Sequence, residues 1–258
     1  FDILGGLRNL TIYQDSVLLN LTTAGLIIFG GLGFLVILDI AKKRCFKKLS
    51  FHSKVVISTS IVLIIAGTLL LKATEDISWL GAFFQSVSAR TAGFSTYAIG
   101  DFTNAGLFVL CVLMFIGASP GSTGGGIKTS TFFVLFQAAR SACVKKNVCA
   151  FRRSISRQNI SKASMITVLS MMVVCVATFL LCVLEPDRTF IQVFFEVVSA
   201  FGTVGLSTGI TPGLSVAAKI VIIFVMFIGR LGAFTLLTIW ISHPEPKIRY
   251  SEENIAIG

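Results

Sequence analysis

Charged side chains are scarce in this sequence, because Asp, Glu, Lys and Arg together make up only 13% of its 258 residues. Soluble domains carry roughly 25% charged residues. Hydrophobic residues instead reach 54%, and the mean hydropathy is +0.87. The composition therefore excludes an ordinary soluble domain and predicts an integral membrane protein built from apolar helices.

The sequence also lacks the clusters of side chains that metal sites and enzyme active sites require. Its two histidines, His52 and His243, are isolated, and its six cysteines form no C-x-x-C pair. Neither a zinc site nor a disulfide framework is indicated. No set of nucleophile and base is apparent either. We therefore expect a protein that is not an enzyme and holds no resident metal or cofactor.

Acidic residues are outnumbered, with 12 Asp and Glu against 22 Lys and Arg and a net charge of +10. A basic balance can indicate a nucleic-acid partner, but the positions of the charges argue against one. Six basic residues lie in 42–54, seven in 140–162 and two in 247–249, each segment beside an apolar stretch. Acidic residues occupy the other connections, so the positive-inside rule places the basic segments in the cytoplasm. We predict a multi-pass protein of the plasma membrane with a cytoplasmic C-terminus and no nucleic-acid partner.

One stretch of the chain occurs twice. The first copy, 83–96, reads FFQSVSARTAGFST, and the second, 194–208, reads FFEVVSAFGTVGLST. The sequence MFIG follows each copy, at 114–117 and at 226–229. The two FF pairs are 111 residues apart and the two MFIG sequences are 112 apart. Because both matches keep nearly the same spacing, we interpret them as an internal duplication.

The repeated stretch has the properties of a loop that lines a pore. In each copy an apolar run of about ten residues precedes Thr-x-Gly, and this run is too short to span a bilayer, which needs roughly 20 residues. Thr favours extended backbone and Gly permits positive φ. Backbone carbonyls held in this way can replace the hydration shell of a potassium ion. The predicted ion-binding filter comprises Thr91, Ala92, Gly93, Phe94, Thr203, Val204, Gly205 and Leu206. The alternative is an ordinary turn between two helices.

A glycine-rich stretch, 117–129, reads GASPGSTGGGIKT and interrupts the apolar region 105–139. The flanking charges agree with the rest of the chain only if this region crosses the membrane once. Proline removes a donor and glycine lowers helix stability, so we expect the crossing to break in the middle. The predicted gate below the filter comprises Gly117, Pro120, Gly121, Gly124, Gly125, Gly126, Lys128 and Arg230. A packed kink is the alternative, whereas a phosphate-binding loop is disfavoured because Ile127 separates Gly126 from Lys128.

Arg230 lies within a predicted span, where an arginine costs ~2.5–3.5 kcal/mol or more and usually faces a cavity or a partner. Either it places a positive charge under the filter, as a barrier to cations, or it is a structural partner of Glu196 or of loop carbonyls. Lys128 either belongs to the same site or extends toward the cytoplasm. We expect Glu196 to support the filter from behind, and Arg90 either to do the same or to lie at the outer mouth.

Several of these motifs resemble those of the Trk/Ktr/HKT potassium transporters, namely the segments 92–95, 117–129, 202–208 and 226–230. The tail, 246–258, resembles the Ktr membrane subunit in particular. The resemblance implies four span–pore helix–span repeats with re-entrant filter loops around one potassium pathway, pseudo-fourfold in the full-length protein.

By this resemblance the chain divides into four parts: 1–50 as the end of the second repeat, 51–150 as the third, 151–242 as the fourth, and 243–258 as a cytoplasmic tail. Predicted spans are 17–38, 55–71, 164–184 and 215–241, and predicted short helices are 79–89 and 190–200. Phe1 would follow a missing filter glycine. We therefore expect a fragment of a longer protein, one that does not conduct alone.

The resemblance further implies potassium uptake with sodium dependence, as a symporter, in the bacterial inner membrane. It also implies a homodimer resting on a cytoplasmic nucleotide-binding ring. Gly93 and Gly205 are both present, so nothing indicates the serine substitution that is linked to sodium transport in some plant relatives. An alternating-access carrier for a small solute is the alternative, because repeats and broken helices occur in that class too.

Overall fold

Helices form most of the regular structure in the computed structural model, which describes residues 9–144, 148–151 and 153–232. The helices are α1 Val17–Leu32, α2 Phe34–Lys43, α3 Phe51–Thr74, α4 Trp79–Ser88, α5 Asn104–Phe115, α6 Thr129–Cys143, α7 Arg157–Leu184, α8 Phe190–Phe201 and α9 Val216–Leu231. Two short strands, β1 Cys149–Ala150 and β2 Arg153–Ser154, pair antiparallel in the basic connection before α7. The predicted helical class is confirmed, with this small hairpin as an addition.

Two helices of the described chain are long and apolar enough to cross a membrane by themselves, α3 with 24 residues and α7 with 28. The pair α1 and α2 adds a third crossing if it is counted as one bent span. Both long helices begin at a serine N-cap whose side chain accepts a backbone N–H, Ser50 from Ser53 and Ser156 from Asn159. Such caps satisfy donors that the first helical turn leaves unpaired.

The order of elements repeats along the chain. A long helix, a short helix, a loop and an apolar helix follow one another as α3, α4, 89–103 and α5, and again as α7, α8, 202–215 and α9. The short helices are the most buried elements. In α8 every residue from Val193 to Phe201 except Phe194 is buried, and Phe84 in α4 is fully buried. The hydrophobic core therefore surrounds the two short helices and fixes where the loops after them can lie.

The predicted span 17–38 is not one straight helix. Helix α1 ends at Leu32, and α2 starts at Phe34 after a bend of 97°. Gly33 makes the bend with φ of 83°, which is costly for other residues. Its Cα also lies so close to the chain that a Cβ there would be 2.6 Å from the Pro120 carbonyl oxygen. The break thus exists because another loop packs against it.

The described part of the predicted span 215–241 contains a helix end. Helix α9 ends at Leu231, and Gly232 follows with φ of 84°. Gly33 and Gly232 each lie three residues after a matching glycine, Gly30 and Gly229, and Pro120 holds the corresponding place after Gly117. Helices α1 and α9 each end one residue before this later glycine, whereas α5 ends earlier, at Phe115. Residues 233–241, the tail 243–258 and Phe1 lie outside the described residues.

In each repeat a glutamate that follows the long helix binds the N-cap residue of the apolar helix that ends the repeat. Glu75, after α3, accepts from the backbone N–H of Thr103 at 3.0 Å and from its hydroxyl at 2.6 Å. Glu185, after α7, accepts from the backbone N–H of Ser215 at 2.6 Å. Thr103 and Ser215 are the N-caps of α5 and α9. Each glutamate therefore closes its repeat across the loop between the helices.

Substituting Gly229 tests the close contact between α9 and the end of α8. An added Cβ would overlap the Phe201 carbonyl oxygen and lie 3.0 Å from the Phe201 Cα. We expect Gly229→Ala to destabilise the protein by about 1–3 kcal/mol, because the backbone must shift. The measurement is the Tm of the purified protein in detergent. Gly25→Ala, with nothing within 4 Å of its Cβ, should leave Tm unchanged or raise it. Equal Tm values for the two variants would contradict the contact.

The Glu185 contact predicts a dependence of stability on pH. The backbone N–H of Ser215 lowers the pKa of Glu185 below its ordinary value of 4.5. Its contribution is therefore complete above pH 4.5 and is lost as pH falls through the lowered pKa. We expect Glu185→Gln to reduce the fall in Tm below that pH. Asp187→Asn, which changes another carboxylate of the same connection, should keep the full acid dependence. The same acid profile for both variants would refute the link.

Candidate functional site

A serine in the last turn of each short helix folds the following loop back onto that helix. In the first copy the Ala92 N–H donates to the Ser88 carbonyl oxygen at 3.0 Å, and the Ser88 hydroxyl donates to the Phe94 carbonyl oxygen. In the second copy the Val204 N–H donates to the Ser199 carbonyl oxygen at 2.9 Å. The Ser199 hydroxyl then donates to the Leu206 carbonyl oxygen at 2.6 Å. The duplication therefore extends from sequence to hydrogen bonding.

The backbone of both loops takes positive φ at the same two positions. Thr91 and Gly93 have φ of 83° and 76°, and Thr203 and Gly205 have φ of 50° and 98°. Glycine adopts such values readily, but threonine is β-branched and pays ~1–3 kcal/mol for them. The same strained residue in both copies is unusual for a simple turn. Backbone strain of this kind concentrates at functional sites.

Several carbonyl groups of the two loops have no donor within the described chain. They are those of Thr91, Ala92, Thr203 and Val204. By contrast, the Phe94 and Leu206 carbonyls are directed to the serines, and the Gly93 carbonyl accepts from Asn9 Nδ2 at 3.2 Å. Buried backbone carbonyls are nearly always paired. The unpaired carbonyl oxygens are available to coordinate a cation or to accept a hydrogen bond from a ligand.

The two loops lie directly against each other. A Cβ added to Gly93 would overlap the Val204 carbonyl oxygen and lie 3.2 Å from the Gly205 Cα. Farther along, a Cβ on Gly100 would lie 2.8 Å from the Thr208 carbonyl oxygen. The structure therefore brings Gly93 and Gly205 together, as the filter hypothesis requires. It also leaves no room for a side chain at Gly93.

Buried polar side chains support each loop from the helix behind it. Glu196 is fully buried, and its Oε1 accepts from the Ser207 hydroxyl at 2.6 Å and from the Thr208 N–H at 3.0 Å. Its Oε2 accepts from the Thr211 hydroxyl at 2.9 Å. In the first copy Gln85 Nε2 donates to the Ser95 hydroxyl at 2.9 Å. These contacts match the expected support, and they show that Glu196 is not the partner of Arg230.

Arg90 is buried, with 7% of its surface exposed, so it does not lie at an open outer mouth of the described chain. Its Nε and Nη1 atoms have no hydrogen-bond partner there. The Arg90 side chain is therefore buried beside the first loop but makes no hydrogen bond to it.

The glycine-rich loop between α5 and α6 lies directly against the loops that follow α4 and α8, 89–103 and 202–215. It closes at its base, where Ile116 and Ile127 form a parallel bridge. A Cβ on Gly124 would overlap the Thr91 hydroxyl, and one on Gly125 would lie 2.6 Å from the Thr203 hydroxyl. Gly124 thus faces Thr91 in the first loop, and Gly125 faces Thr203 in the second. The absence of side chains is what permits the approach.

Two cationic side chains hold the loop by its carbonyl oxygens. Lys128 Nζ donates to the Gly124 carbonyl at 2.5 Å, and Arg230 Nη1, from α9, donates to the Thr123 carbonyl. Sequence reasoning left both loop carbonyls and Glu196 open as partners of Arg230, and the structure shows a loop carbonyl. Lys128 belongs to the same site rather than extending away from it.

The far end of the loop contacts the bend between α1 and α2. The Phe34 N–H donates to the Gly121 carbonyl at 3.2 Å, and the Ser119 N–H donates to the Gly31 carbonyl at 3.1 Å. Pro120 and Gly121 therefore face α2, whereas Gly124 and Gly125 face the filter loops. Sequence reasoning missed Ser88, Ser199, Asn9 and Ser119. The repeated serine in VSA was the available signal for the first two.

Within the described residues no group of three or more His, Cys, Asp and Glu side chains is placed to hold a metal ion. The site consists of backbone carbonyls, hydroxyl groups and two cations. The backbone carbonyls of such a set can bind a weakly hydrated cation.

Comparison with known proteins relates this arrangement to a family. The family model TrkH, described as a cation transport protein, matches residues 55–251. The "Ktr system potassium uptake protein B" of Vibrio alginolyticus is 41% identical over 95% of this chain and 57% of its own length. The protein of the same name from Bacillus subtilis is 36% identical over 97% and 59%. The "Potassium/sodium uptake protein NtpJ" of Enterococcus hirae is 37% identical over 100% and 61%.

The fold has a solved counterpart. The crystal structure of the potassium transporter TrkH from Vibrio parahaemolyticus superposes with a TM-score of 0.71 at 22% identity, over 93% of this chain and 54% of that one. The chain spans about three fifths of the length of the curated relatives it matches. Because the family model covers most of the described helices and loops, the chain belongs to the TrkH family of cation transport proteins.

Proposed function

We propose that this chain forms part of a pore for potassium uptake across the plasma membrane, within a longer translocating subunit. The observation that carries the proposal is the pair of abutting loops whose carbonyls at Thr91, Ala92, Thr203 and Val204 have no donor in the described chain. Irregular backbone at membrane depth is tolerated only where protein covers it or where it meets water or an ion. Carbonyls without donors in two abutting loops are suited to a dehydrated cation.

The short helices add to the attraction for a cation. Helices α4 and α8 end directly before the loops, and a helix carries about −0.5 elementary charge at its C-terminal end. Both helices are buried, so water screens this charge little. Two of the relatives are named potassium uptake proteins, which supports potassium as the cation.

In this proposal the glycine-rich loop is the gate. It lies against Thr91 and Thr203, and therefore at the entrance to the free carbonyls. Arg230 and Lys128 place positive charge beside the path and hold the loop by adjacent peptide carbonyls. A cation passes only after these hydrogen bonds break and the loop moves aside. Closure is thus mechanical and electrostatic at once.

We extend the proposal to the rest of the protein on the strength of the resemblance. The boundaries 1–50, 51–150, 151–242 and 243–258 would separate the repeats and a cytoplasmic tail. The full subunit would form a homodimer on a cytoplasmic nucleotide-binding ring. Sodium would be coupled to potassium uptake, because the Enterococcus hirae relative is named for the uptake of both ions.

Substitution of Gly205 tests the filter. Serine cannot hold φ of 98° without strain, so the neighbouring carbonyls should leave the spacing that suits potassium. We expect Gly205→Ser, in the full-length protein in vesicles, to raise the ratio of sodium to potassium uptake about tenfold, equivalent to ~1.4 kcal/mol of lost discrimination. The measurement is the flux of each ion under the same gradient.

Gly209→Ser is the matched control for this substitution. Gly209 also has positive φ, 91°, but an added Cβ meets nothing within 4 Å. We expect its selectivity to equal that of the unmodified protein. Unchanged selectivity in Gly205→Ser, with normal amounts of protein in the membrane, would contradict the filter.

Substitution of Arg230 tests the gate. The charged hydrogen bond to the Thr123 carbonyl contributes ~1.5–3 kcal/mol to holding the loop. Removing this hydrogen bond together with the positive charge should make potassium uptake by Arg230→Ala about tenfold faster or more. Initial uptake rates in vesicles give the measurement. Arg188→Ala, which removes a charge from the connection after α7, should leave the rate unchanged.

The outcomes for Arg230→Ala separate the two roles left open by the sequence. Faster uptake supports a barrier at the gate. Loss of the protein from the membrane indicates a structural role for Arg230 instead, and an unchanged rate with normal protein contradicts the gate assignment.

A further inference from the structure

A cavity of about 540 Å³ lies between the two described repeats. Helices α5 and α6 form one side, and α7 and α8 form the other. Its volume lies within the ~300–1,000 Å³ typical of pockets that hold small organic ligands. Neither the filter nor the gate, as described above, uses this space.

The lining of the cavity is hydrocarbon almost throughout. Phenylalanine, leucine, isoleucine, valine and methionine side chains supply most of it. The hydroxyl of Thr167 is already occupied, because it donates to the Ala163 carbonyl at 3.0 Å. A cavity of this kind does not hold water, since water needs two to four polar partners. Ions, sugars and nucleotides are excluded for the same reason.

The mouth of the cavity opens on a surface that suits lipid. Phe108 and Val112 of α5, Phe136 of α6 and Met171 of α7 line it and are also exposed, by 57%, 44%, 59% and 48%. Large apolar side chains at such exposure on a chain that carries membrane spans face the hydrocarbon of the bilayer. The molecules in contact with the mouth are therefore acyl chains.

The inner wall of the cavity reaches the gate. Ile116 and Ile127, which form the bridge at the base of the glycine-rich loop, both line it. Phe194 and Val198 of α8, the short helix before the second filter loop, line it too. A chain occupying the cavity thus contacts the base of the loop and the support of the filter together.

We propose that this cavity is a binding site for one acyl chain of a membrane lipid, which enters between α5, α6 and α7 and ends against Ile116 and Ile127. The lipid packs against the base of the loop whose opposite end is held by Arg230 and Lys128. The binding itself does not depend on the proposed function, whereas an effect on gating rests on it.

The experiment uses the full-length protein in vesicles that contain a phospholipid with a photoreactive diazirine near the end of one acyl chain. After illumination, mass spectrometry locates the labelled residues. We expect label on the cavity lining, including Ile116 or Ile127. Met171→Trp, which fills the mouth, should reduce this label at least about fivefold by occupying space that the chain needs.

Met172→Trp is the control, because Met172 is the next residue of α7, is 58% exposed and does not line the cavity. It should keep the label at the cavity. Label spread evenly over exposed helix surfaces, or equal label at the cavity in both variants, would overturn the site. Absence of cavity label would also overturn it, as expected if another part of the full-length chain or a second copy fills the space.

Potassium flux from the same vesicles keeps the two proposals distinguishable. Cavity label that disappears in Met171→Trp supports the lipid site even if no variant transports potassium, and that result counts against the proposed function alone. A change of flux in Met171→Trp and not in Met172→Trp would support contact between the bound chain and the gate.

Discussion

Backbone carbonyls without donors, held inside an apolar protein, are the constraint on which the rest of this structure depends. Such groups cost several kcal/mol each in hydrocarbon unless protein, water or an ion meets them. Ser88 and Ser199 direct the last carbonyl of each loop inward to its short helix, and Glu196 binds the segment after the second loop. Of the carbonyls that remain unpaired in the described chain, that of Val204 lies at the contact between the two loops. The polar side chains buried behind the loops thus determine which other backbone groups are already paired.

The same constraint explains the glycines that surround the loops. A Cβ has no space at Gly93, because of the backbone of Val204, or at Gly124 and Gly125, because of the side chains of Thr91 and Thr203. Close approach of irregular backbone lets carbonyls and hydroxyls share a small volume from which lipid is excluded. Several contacts with other segments fix the position of the glycine-rich loop. Two of those contacts are hydrogen bonds from Lys128 and Arg230 to loop carbonyls.

Among the described residues, Lys128 and Arg230 donate to peptide carbonyls and form no ion pair with an acidic side chain. Glu196 is engaged by Ser207, Thr208 and Thr211, so it does not neutralise Arg230. In the proposed function, the charge of Arg230 therefore stays available to repel a cation. The loop that supplies these carbonyls rests on Ile116 and Ile127, which also form the inner wall of the cavity between the repeats. The glycine-rich loop thus contacts cationic groups at Thr123 and Gly124 and an apolar cavity at its base.

The duplication, the helical class, the short helices and the two loops at Thr91 and Thr203 follow from the sequence alone, because composition and repeated motifs are local properties of the chain. The bend at Gly33 and the end of α9 before Gly232 escaped the sequence analysis, since an apolar run reads alike whether or not its helix is continuous. Only the tertiary structure gives the partner of Arg230, the roles of Ser88 and Ser199, and the adjacency of Gly93 and Gly205. Ser88 and Ser199 bind carbonyls only six and seven residues further on, but which carbonyls they bind depends on the folded loop. The partner of Arg230 and the adjacency of Gly93 and Gly205 depend on segments about 110 residues apart meeting in space, which spacing along the chain cannot specify.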